Sequence, residues 1–222
     1  MLPAADTAPQ TLASAISVDA ALERLAESVE GELDEIAEEL ERIQRERELR
    51  WHDEHDPRTM PAYYQDDPAW ASTPYAHGST IGRAGCGLTT AAMSIEWWTR
   101  SRCTPADLAA KVGDSCTYGH LNYMPAFADY CRSIGLSASE QYWDISRAVA
   151  DARAGKTVWC AGGGRLGARS YGGHLVLLWQ DAGGELHIND PACAENTRVW
   201  TEGEVYAASD YWTYSISVWK DF

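Results

Sequence analysis

The sequence predicts an α+β fold in which a helical part is followed by an antiparallel sheet. Up to about residue 153, apolar residues recur every three or four positions, which is the period of one helix face. Beyond residue 156, short runs rich in Val, Leu, Ile and Trp predict strands. A turn at 181–184 joins two of these runs as a hairpin, which makes the sheet antiparallel.

Residues 1–58 form an acidic segment that differs in composition from the rest of the chain. They hold 16 acidic and 6 basic residues, so a charge of −10 out of the total of −15 lies here. From Val18 to Ile43 the apolar residues follow gaps of three and four, which predicts one amphipathic helix over about 18–50. We expect this helical extension to precede a globular domain at 59–222. Its apolar stripe needs a partner, and the domain, a docking protein or a second copy in a short coiled coil all fit.

The domain at 59–222 is predicted to contain helices first and strands afterwards. The helices are predicted at 89–98, 104–111, 121–134 and 144–153, and the strands at 156–160, 174–180, 185–189 and 213–219. Gly162–Gly167 is glycine-rich but lacks the ending of a phosphate-binding loop, so we interpret it as a mobile loop beside a cleft. Arg165, Arg169 and Tyr171, in or near this loop, are expected to contact substrate.

Composition and charge exclude several classes of function. Hydrophobic residues make up 45% of the chain and charged residues 23%, as in an ordinary globular protein. A net charge of −15 opposes binding to nucleic acid or to anionic lipid, and no apolar run is long enough to span a membrane. Asp6 is acidic and no Lys or Arg precedes Arg24, so we expect synthesis in the cytoplasm without a signal peptide.

Five of the six cysteines are expected to be buried small side chains rather than disulfide partners. These five are Cys103, Cys116, Cys131, Cys160 and Cys193. No CxxC pair is present, so a zinc ribbon is unsupported. His52 and His55 lie among acidic residues in a stretch that we interpret as exposed, and we expect neither a metal nor a cofactor.

The sixth cysteine, Cys86, is a candidate nucleophile. It lies between Gly85 and Gly87 and directly before an apolar helix. A helix N-terminus favours the thiolate form of a cysteine. Glycine on each side frees the backbone for a tight turn and lets a substrate approach closely.

Three further residues complete a candidate site. His174 begins a predicted strand after a Gly172–Gly173 turn, and the hairpin register places Asp190 opposite His174 or one residue diagonal to it. A carboxylate there holds an imidazole in the orientation that a general base needs. The side-chain amide of Gln65, 21 residues before Cys86, can donate to a developing oxyanion. His187 is expected to face away from Asp190 and to be structural, because side chains alternate along a strand.

The order Gln, Cys, His, Asp is that of the papain-type cysteine peptidases. The sequence resembles the bacteriocin-processing (double-glycine) peptidase-like group of that class. The resemblance covers about 60–219, and its segments are YYQDDPAW at 63–70, STIGRAGCGLTTAAM at 79–93, TPADLA at 104–109, GGH at 172–174 and INDP at 188–191.

The resemblance implies a papain-like peptidase domain at 59–222 with a Cys-His-Asp site. Cys86 would be the nucleophile and His174 the general base, while Asp190 would orient His174. Gln65 and the backbone N–H of Cys86 would form the oxyanion hole. Transporter-fused members usually carry Asp immediately before the nucleophile, where this sequence has Gly85.

For these reasons we expect a stand-alone member of the group and no membrane or ATPase domain. A member made in the cytoplasm without an exporter resembles a bacteriophage endolysin, which cuts the peptides of bacterial peptidoglycan once it is released to the cell wall at host lysis. Two alternatives stay open. One is an intracellular peptidase or transferase that acts on a partner protein, and the other is a non-catalytic peptide-binding module of the same fold.

Overall fold

The computed structural model describes residues 18–54 and 59–221 as a mixture of helices and antiparallel sheet. The predicted mixed helix-and-sheet class is confirmed. The chain divides between Leu49 and Arg50 into two compact units, and each is described by itself. Residues 55–58 lie outside the described part, so a domain boundary at 58/59 stays a prediction.

The helices are α1 Val18–Glu54, α2 Ile81–Ala84, α3 Cys86–Thr99, α4 Pro105–Val112, α5 Met124–Ser133, α6 Ile145–Arg153 and α7 Glu202–Ala207. The strands are β1 Pro74–Tyr75, β2 Ser79–Thr80, β3 Thr117–Tyr118, β4 Leu121–Asn122, β5 Ser137–Ala138, β6 Thr157–Leu166, β7 Arg169–Gln180, β8 Leu186–Asn189, β9 Arg198–Val199 and β10 Trp212–Trp219. The main sheet has six strands in the order β5-β10-β6-β7-β8-β9, and every neighbouring pair is antiparallel. Most helices precede the long strands, and α7 lies between β9 and β10.

Helix α1 covers the predicted range 18–50 and leaves its apolar stripe on the surface of its own unit. The large apolar side chains from Leu22 to Ile43 are between 43% and 61% exposed. What covers this stripe, whether the domain at 59–222, a docking protein or a second copy, stays a prediction. None of the helices within 18–54 and 59–221 is long and apolar enough to cross a membrane.

Local sequence signals account for the starts of two helices. Thr104 and Asp107 form a capping box at the start of α4, and Pro105 fits the first turn because proline has no N–H to satisfy there. Asp144 caps α6 by accepting a hydrogen bond from the backbone of Ser146. Both helices begin within a residue of their predicted starts.

The predicted helix over 121–134 was too long at its N-terminal end. Residues 121–122 form strand β4, in which Tyr118 pairs with Leu121 and Thr117 pairs with Asn122. The helix begins at Met124, followed by Pro125 in its first turn. Residues 121–122 do not join the helix because their backbone N–H and carbonyl groups are hydrogen-bonded within the β3–β4 hairpin instead.

Helix α3 is the central helix of the domain and packs against the main sheet. Its residues from Gly87 to Glu96 are all buried, and Thr90 donates a hydrogen bond to the carbonyl of Leu175 on β7. The buried Glu96 carboxylate accepts hydrogen bonds from Tyr63 Oη (2.7 Å) and the Cys103 backbone (2.6 Å). The Thr90 bond holds α3 against the strand that carries His174, and the Glu96 bonds connect the other end of the helix to Tyr63 and Cys103.

The region predicted as a loop at Gly162–Gly167 is part of a long β6–β7 hairpin, so that prediction was wrong. Gly162 pairs with His174 and Arg165 pairs with Ser170. The predicted Gly172–Gly173 turn also lies within a strand, and His174 is interior to β7 rather than at its start. Strand pairing continues through the glycine-rich residues because it uses only backbone N–H and carbonyl groups, whatever the side chains are.

Replacing Gly162 with alanine is expected to lower the free energy of unfolding by about 1–3 kcal/mol, because the new Cβ would overlap the carbonyl and ring of Tyr211. Gly173→Ala is the control, since a Cβ there meets nothing within 4 Å. Its effect is expected to stay within about 0.5 kcal/mol. Urea unfolding measures the free energy of unfolding of both variants. An equal loss of stability at the two positions would contradict the steric explanation.

Candidate active site

Cys86 is the first residue of α3 and differs from the other cysteines in exposure. It is half-buried, whereas the other five are buried, and all six are free thiols. The predicted contrast between Cys86 and the five core cysteines is therefore present in the structure. A thiol at this position receives the favourable electrostatic environment of the helix N-terminus.

The glycines beside Cys86 are explained by close packing within the protein. Neither has a positive φ, so an unusual backbone conformation is not the reason for glycine here. A Cβ at Gly85 would overlap the carbonyl of Ile81, and a Cβ at Gly87 would lie 2.7 Å from the side chains of Asn122 and Met124. The first contact also explains why Asp is absent from position 85 in this chain.

His174 and Asp190 form a buried hydrogen-bonded pair. His174 Nε2 lies 2.7 Å from Asp190 Oδ1, and the two residues are 6% and 1% exposed. The predicted register was wrong by one position. Leu177 pairs with Asn189, which places Asp190 level with Val176, two residues along β7 from His174. The pair still meets because diagonal neighbours on one sheet face lie within reach of longer side chains.

The Asp190 carboxylate accepts four hydrogen bonds. Oδ1 accepts from His174 Nε2 (2.7 Å) and the Ala192 backbone (2.9 Å), and Oδ2 accepts from Tyr171 Oη (2.6 Å) and Asn196 Nδ2 (2.9 Å). Burial alone raises a carboxyl pKa, but these donors outweigh it and hold the pKa of Asp190 below its ordinary value. Asp190 is therefore an ionised and fully bonded partner for His174.

Tyr171 supports both members of the pair, which the sequence reasoning missed. Its ring stacks on His174 with 4.1 Å between centroids and 10° between planes, and its hydroxyl donates to Asp190. Residues three apart normally face opposite sides of a strand. Gly162 pairs with His174 and Gly164 with Tyr171, so β7 has one extra residue here and the bulge returns Tyr171 to the face of His174.

The two neighbours of His174 favour its charged form. Burial works against an imidazolium, but the hydrogen bond with Asp190 and the nearby Cys86 outweigh it and raise the pKa of His174 from 6.5 to about 9. Because Nε2 contacts Asp190, Nδ1 is the nitrogen that remains for Cys86. The structure thus brings the three predicted residues Cys86, His174 and Asp190 into one cluster.

Gln65 lies beside the segment that leads to Cys86. Its Nε2 donates to the carbonyl of Gly82 (2.9 Å), and its backbone N–H donates to the carbonyl of Pro191 (2.8 Å). The carbonyl of Gly82 determines the orientation of the amide, since turning the side-chain oxygen towards it would place two acceptors together. One N–H of the amide remains for another acceptor.

The arginines near the hairpin tip have separate surroundings. Arg169 donates to the carbonyl of Ala192 and lies over the ring of Tyr171, 5.6 Å from its centroid. Arg165 lines a cavity of about 550 Å³ together with Trp200 and Tyr211. Tyr171 and Arg169 therefore contact the Asp190 region, and a substrate contact for any of these residues stays a prediction.

One cluster on the β7–β8 turn has the spacing of a cation site among the residues that the structure describes. Asp181, Glu185 and His187 each offer a ligand atom, and these atoms lie within 4.8 Å of one another. His187 also bonds Asp181 and stacks on Trp179, so it takes no part in the Cys86 cluster. The His52 and His55 stretch considered above lies outside the described side chains.

His174 is expected to titrate at about pH 9, well above an ordinary histidine. Because folding raises this pKa, protonated His174 stabilises the folded state fully below about pH 6.5, and this contribution is lost as the pH rises through about 9. Asp190→Asn removes the neighbouring charge and is expected to lower the pKa of His174 by about one unit or more.

Histidine ring resonances followed by NMR against pH test this prediction. Asp181→Asn is the matched control, because it removes the same charge at the surface turn that holds His187. Asp181→Asn is expected to leave the pKa of His174 unchanged. A wild-type His174 that titrates near 6.5 would contradict the ion-pair interpretation.

The chain is similar to one family of peptidases over most of its length. Residues 58–218 match the model of the Peptidase_C39 like family, which confirms the resemblance indicated by the sequence motifs. A crystal structure from Bacillus anthracis, described as that of a C39-like peptidase, aligns with 73% of this chain and 96% of its own, with 12% identity and a TM-score of 0.47. Among curated proteins, none matches the sequence significantly. The matched residues span well over half of the chain, and the protein belongs to the Peptidase_C39-like family.

Proposed function

We propose that the protein is a cysteine peptidase that cleaves peptide bonds with Cys86, His174 and Asp190. The observation that supports this most directly is the buried hydrogen bond between His174 and Asp190, with Cys86 near enough to raise the pKa of His174. Membership of a C39-like peptidase family supports the same class of reaction. A nucleophile, an adjacent base and a third group that orients the base are the parts that covalent acyl transfer needs.

The first step in this proposal is attack by the Cys86 sulfur on the substrate carbonyl carbon. In this proposal the imidazole of His174 holds the proton of the Cys86 thiol, and the sulfur attacks as a thiolate. Imidazolium then donates its proton to the leaving amine, which leaves an acyl thioester on Cys86. Neutral His174 next accepts a proton from water, and the resulting attack on the thioester releases the acid and restores the ion pair.

Gln65 is proposed to stabilise the oxyanion of the tetrahedral intermediates. The carbonyl of Gly82 holds the Nε2 side of the amide, and the backbone bond to Pro191 connects Gln65 to the turn that follows Asp190. An orientation determined before the substrate binds needs no rearrangement as charge develops. The backbone N–H of Cys86 is the second proposed donor.

As substrate we propose the peptides of bacterial peptidoglycan, cleaved in the manner of an endolysin. The support is the sequence resemblance to stand-alone members of the group. The direct test incubates the protein with purified peptidoglycan and identifies new amino termini by mass spectrometry. Absence of new termini, combined with hydrolysis of other peptides, would leave the peptidase proposal in place and overturn the substrate. Transfer of the acyl group to an added amine in preference to water would indicate a transferase.

Cys86→Ala is expected to lower peptide hydrolysis at least about 1,000-fold, because no other group can form the thioester. Cys131→Ala is the control, since Cys131 is a buried thiol within α5 and lies apart from the cluster. It is expected to retain activity within about threefold of the wild type. Equal activity in the wild type and Cys86→Ala would exclude Cys86 as the nucleophile.

Gln65→Glu is expected to lower kcat about 100-fold with a much smaller change in KM, because it removes the amide donor that would stabilise charge in the transition state. Asp66→Asn, at the exposed residue next to Gln65, is the control, and it is expected to change neither kcat nor KM appreciably. Steady-state kinetics with a cleaved peptide separates kcat from KM. A loss confined to KM would assign Gln65 to substrate binding instead of the oxyanion.

A further inference from the structure

The first turn of α3 receives its cap from a distant side chain. Its N-cap residue, Gly85, has no side chain to accept a hydrogen bond, and the first turn contains no acidic residue. The backbone N–H of Leu88 instead donates to Asn122 Oδ1 (3.1 Å). Asn122 ends strand β4, so the β3–β4 hairpin supplies an acceptor that helix N-termini require.

The orientation of the Asn122 amide is determined by three partners. Its Oδ1 accepts from Tyr75 Oη (2.8 Å) as well as from Leu88, which identifies this atom as the oxygen. Its Nδ2 donates to the carbonyl of Ala84 (2.8 Å), which accepts and never donates. The reversed amide would pair donor with donor on one side and acceptor with acceptor on the other.

The remaining N–H of this amide points towards the sulfur of Cys86. Nδ2 lies 3.6 Å from Sγ, which is within range for an N–H to sulfur hydrogen bond. Gly87 permits this approach, because a Cβ at that position would lie 2.7 Å from Asn122 Cβ and Cγ. The glycine after Cys86 therefore makes room for an amide that contacts the candidate nucleophile.

We propose that Asn122 is a further catalytic residue, which donates its side-chain N–H to the Cys86 thiolate. The inference rests on the proposed role of Cys86 as nucleophile. His174 and Asn122 then contact the sulfur together, one as an imidazolium and one as a neutral donor. A hydrogen bond to a charged acceptor stabilises it more than a bond to the neutral form. Asn122 thus favours the thiolate without taking the proton.

Other ionisable groups near Cys86 keep one charge state up to about pH 8. Tyr75, Tyr211 and Tyr214 are the tyrosines that sense a charge on Cys86, and burial raises the pKa of each. His174, with a pKa of about 9, is the group that changes charge near the upper end. Between about pH 5 and 8, a change in Cys86 reactivity therefore reports on the thiol itself and its hydrogen bonds.

The test measures the rate of Cys86 alkylation by iodoacetamide against pH in three variants. Asn122→Asp keeps an acceptor for Leu88 and Tyr75 but replaces the donor with a charged group beside the sulfur. Asn122→Ala removes both the acceptor and the donor without adding a charge. Each is expected to react about tenfold more slowly than the wild type at about pH 6, and within about threefold of it at high pH. Leu121→Asp adds the same charge on an exposed neighbour in β4 and is expected to match the wild type.

These variants distinguish a role of Asn122 in capping α3 from a role as hydrogen-bond donor to Cys86. If Asn122 only caps α3, Asn122→Ala will lower the free energy of unfolding and leave the pH profile of alkylation unchanged. That result would overturn the proposal. Slower alkylation of Asn122→Ala at low pH, recovering at high pH, supports it. Alkylation requires no substrate, so the outcome is distinct from failure of the peptidase proposal, in which Cys86 remains selectively reactive but no peptide is cut.

Discussion

The buried carboxylate of Asp190 is the constraint on which the arrangement of the site depends. An ionised carboxylate that is 1% exposed is stable only when its oxygens are fully hydrogen-bonded. Two of its donors, Tyr171 and His174, come from β7, and two come from the turn after β8. Asn196 also bonds the carbonyl of Leu166 at the end of β6. The hairpin tip, the bulge and the turn therefore have to form together.

A second group of contacts holds the N-terminus of α3, and here the stabilising side chains are amides. Gln65 donates to the carbonyl of Gly82, four residues before Cys86. Asn122 bonds the backbone of Ala84 and Leu88, which lie two residues before and two residues after Cys86. Both amides have their orientation set by backbone groups. Gln65 also bonds the carbonyl of Pro191, which connects the candidate nucleophile's surroundings to the turn that carries Asp190. The two halves of the site are thus linked through main-chain hydrogen bonds.

The sequence was informative wherever the signal is local. The two helices capped by Thr104 and Asp144 start within one residue of their predicted starts, and the hairpin through 181–184 followed from its turn residues. Candidate site residues could be chosen because glycines, a helix start and a strand end mark them along the chain. Asn122 had no such mark, and Tyr171 was expected only to contact substrate. The structural roles of both depend on contacts with residues distant in the chain or on a strand irregularity.

By itself, the sequence determined the order of the main helices and the long strands, the chemical types at the candidate site and the family, because these depend on periodicity, turn chemistry and motif order. Only the tertiary structure decided the register that brings Asp190 to His174 and the bulge that turns Tyr171 onto the same ring. It also decided that the amide of Asn122 reaches the sulfur of Cys86. The physical reason is that a shift of one residue in a strand exchanges its two faces, and such shifts are set by packing and by buried hydrogen bonds rather than by local preference.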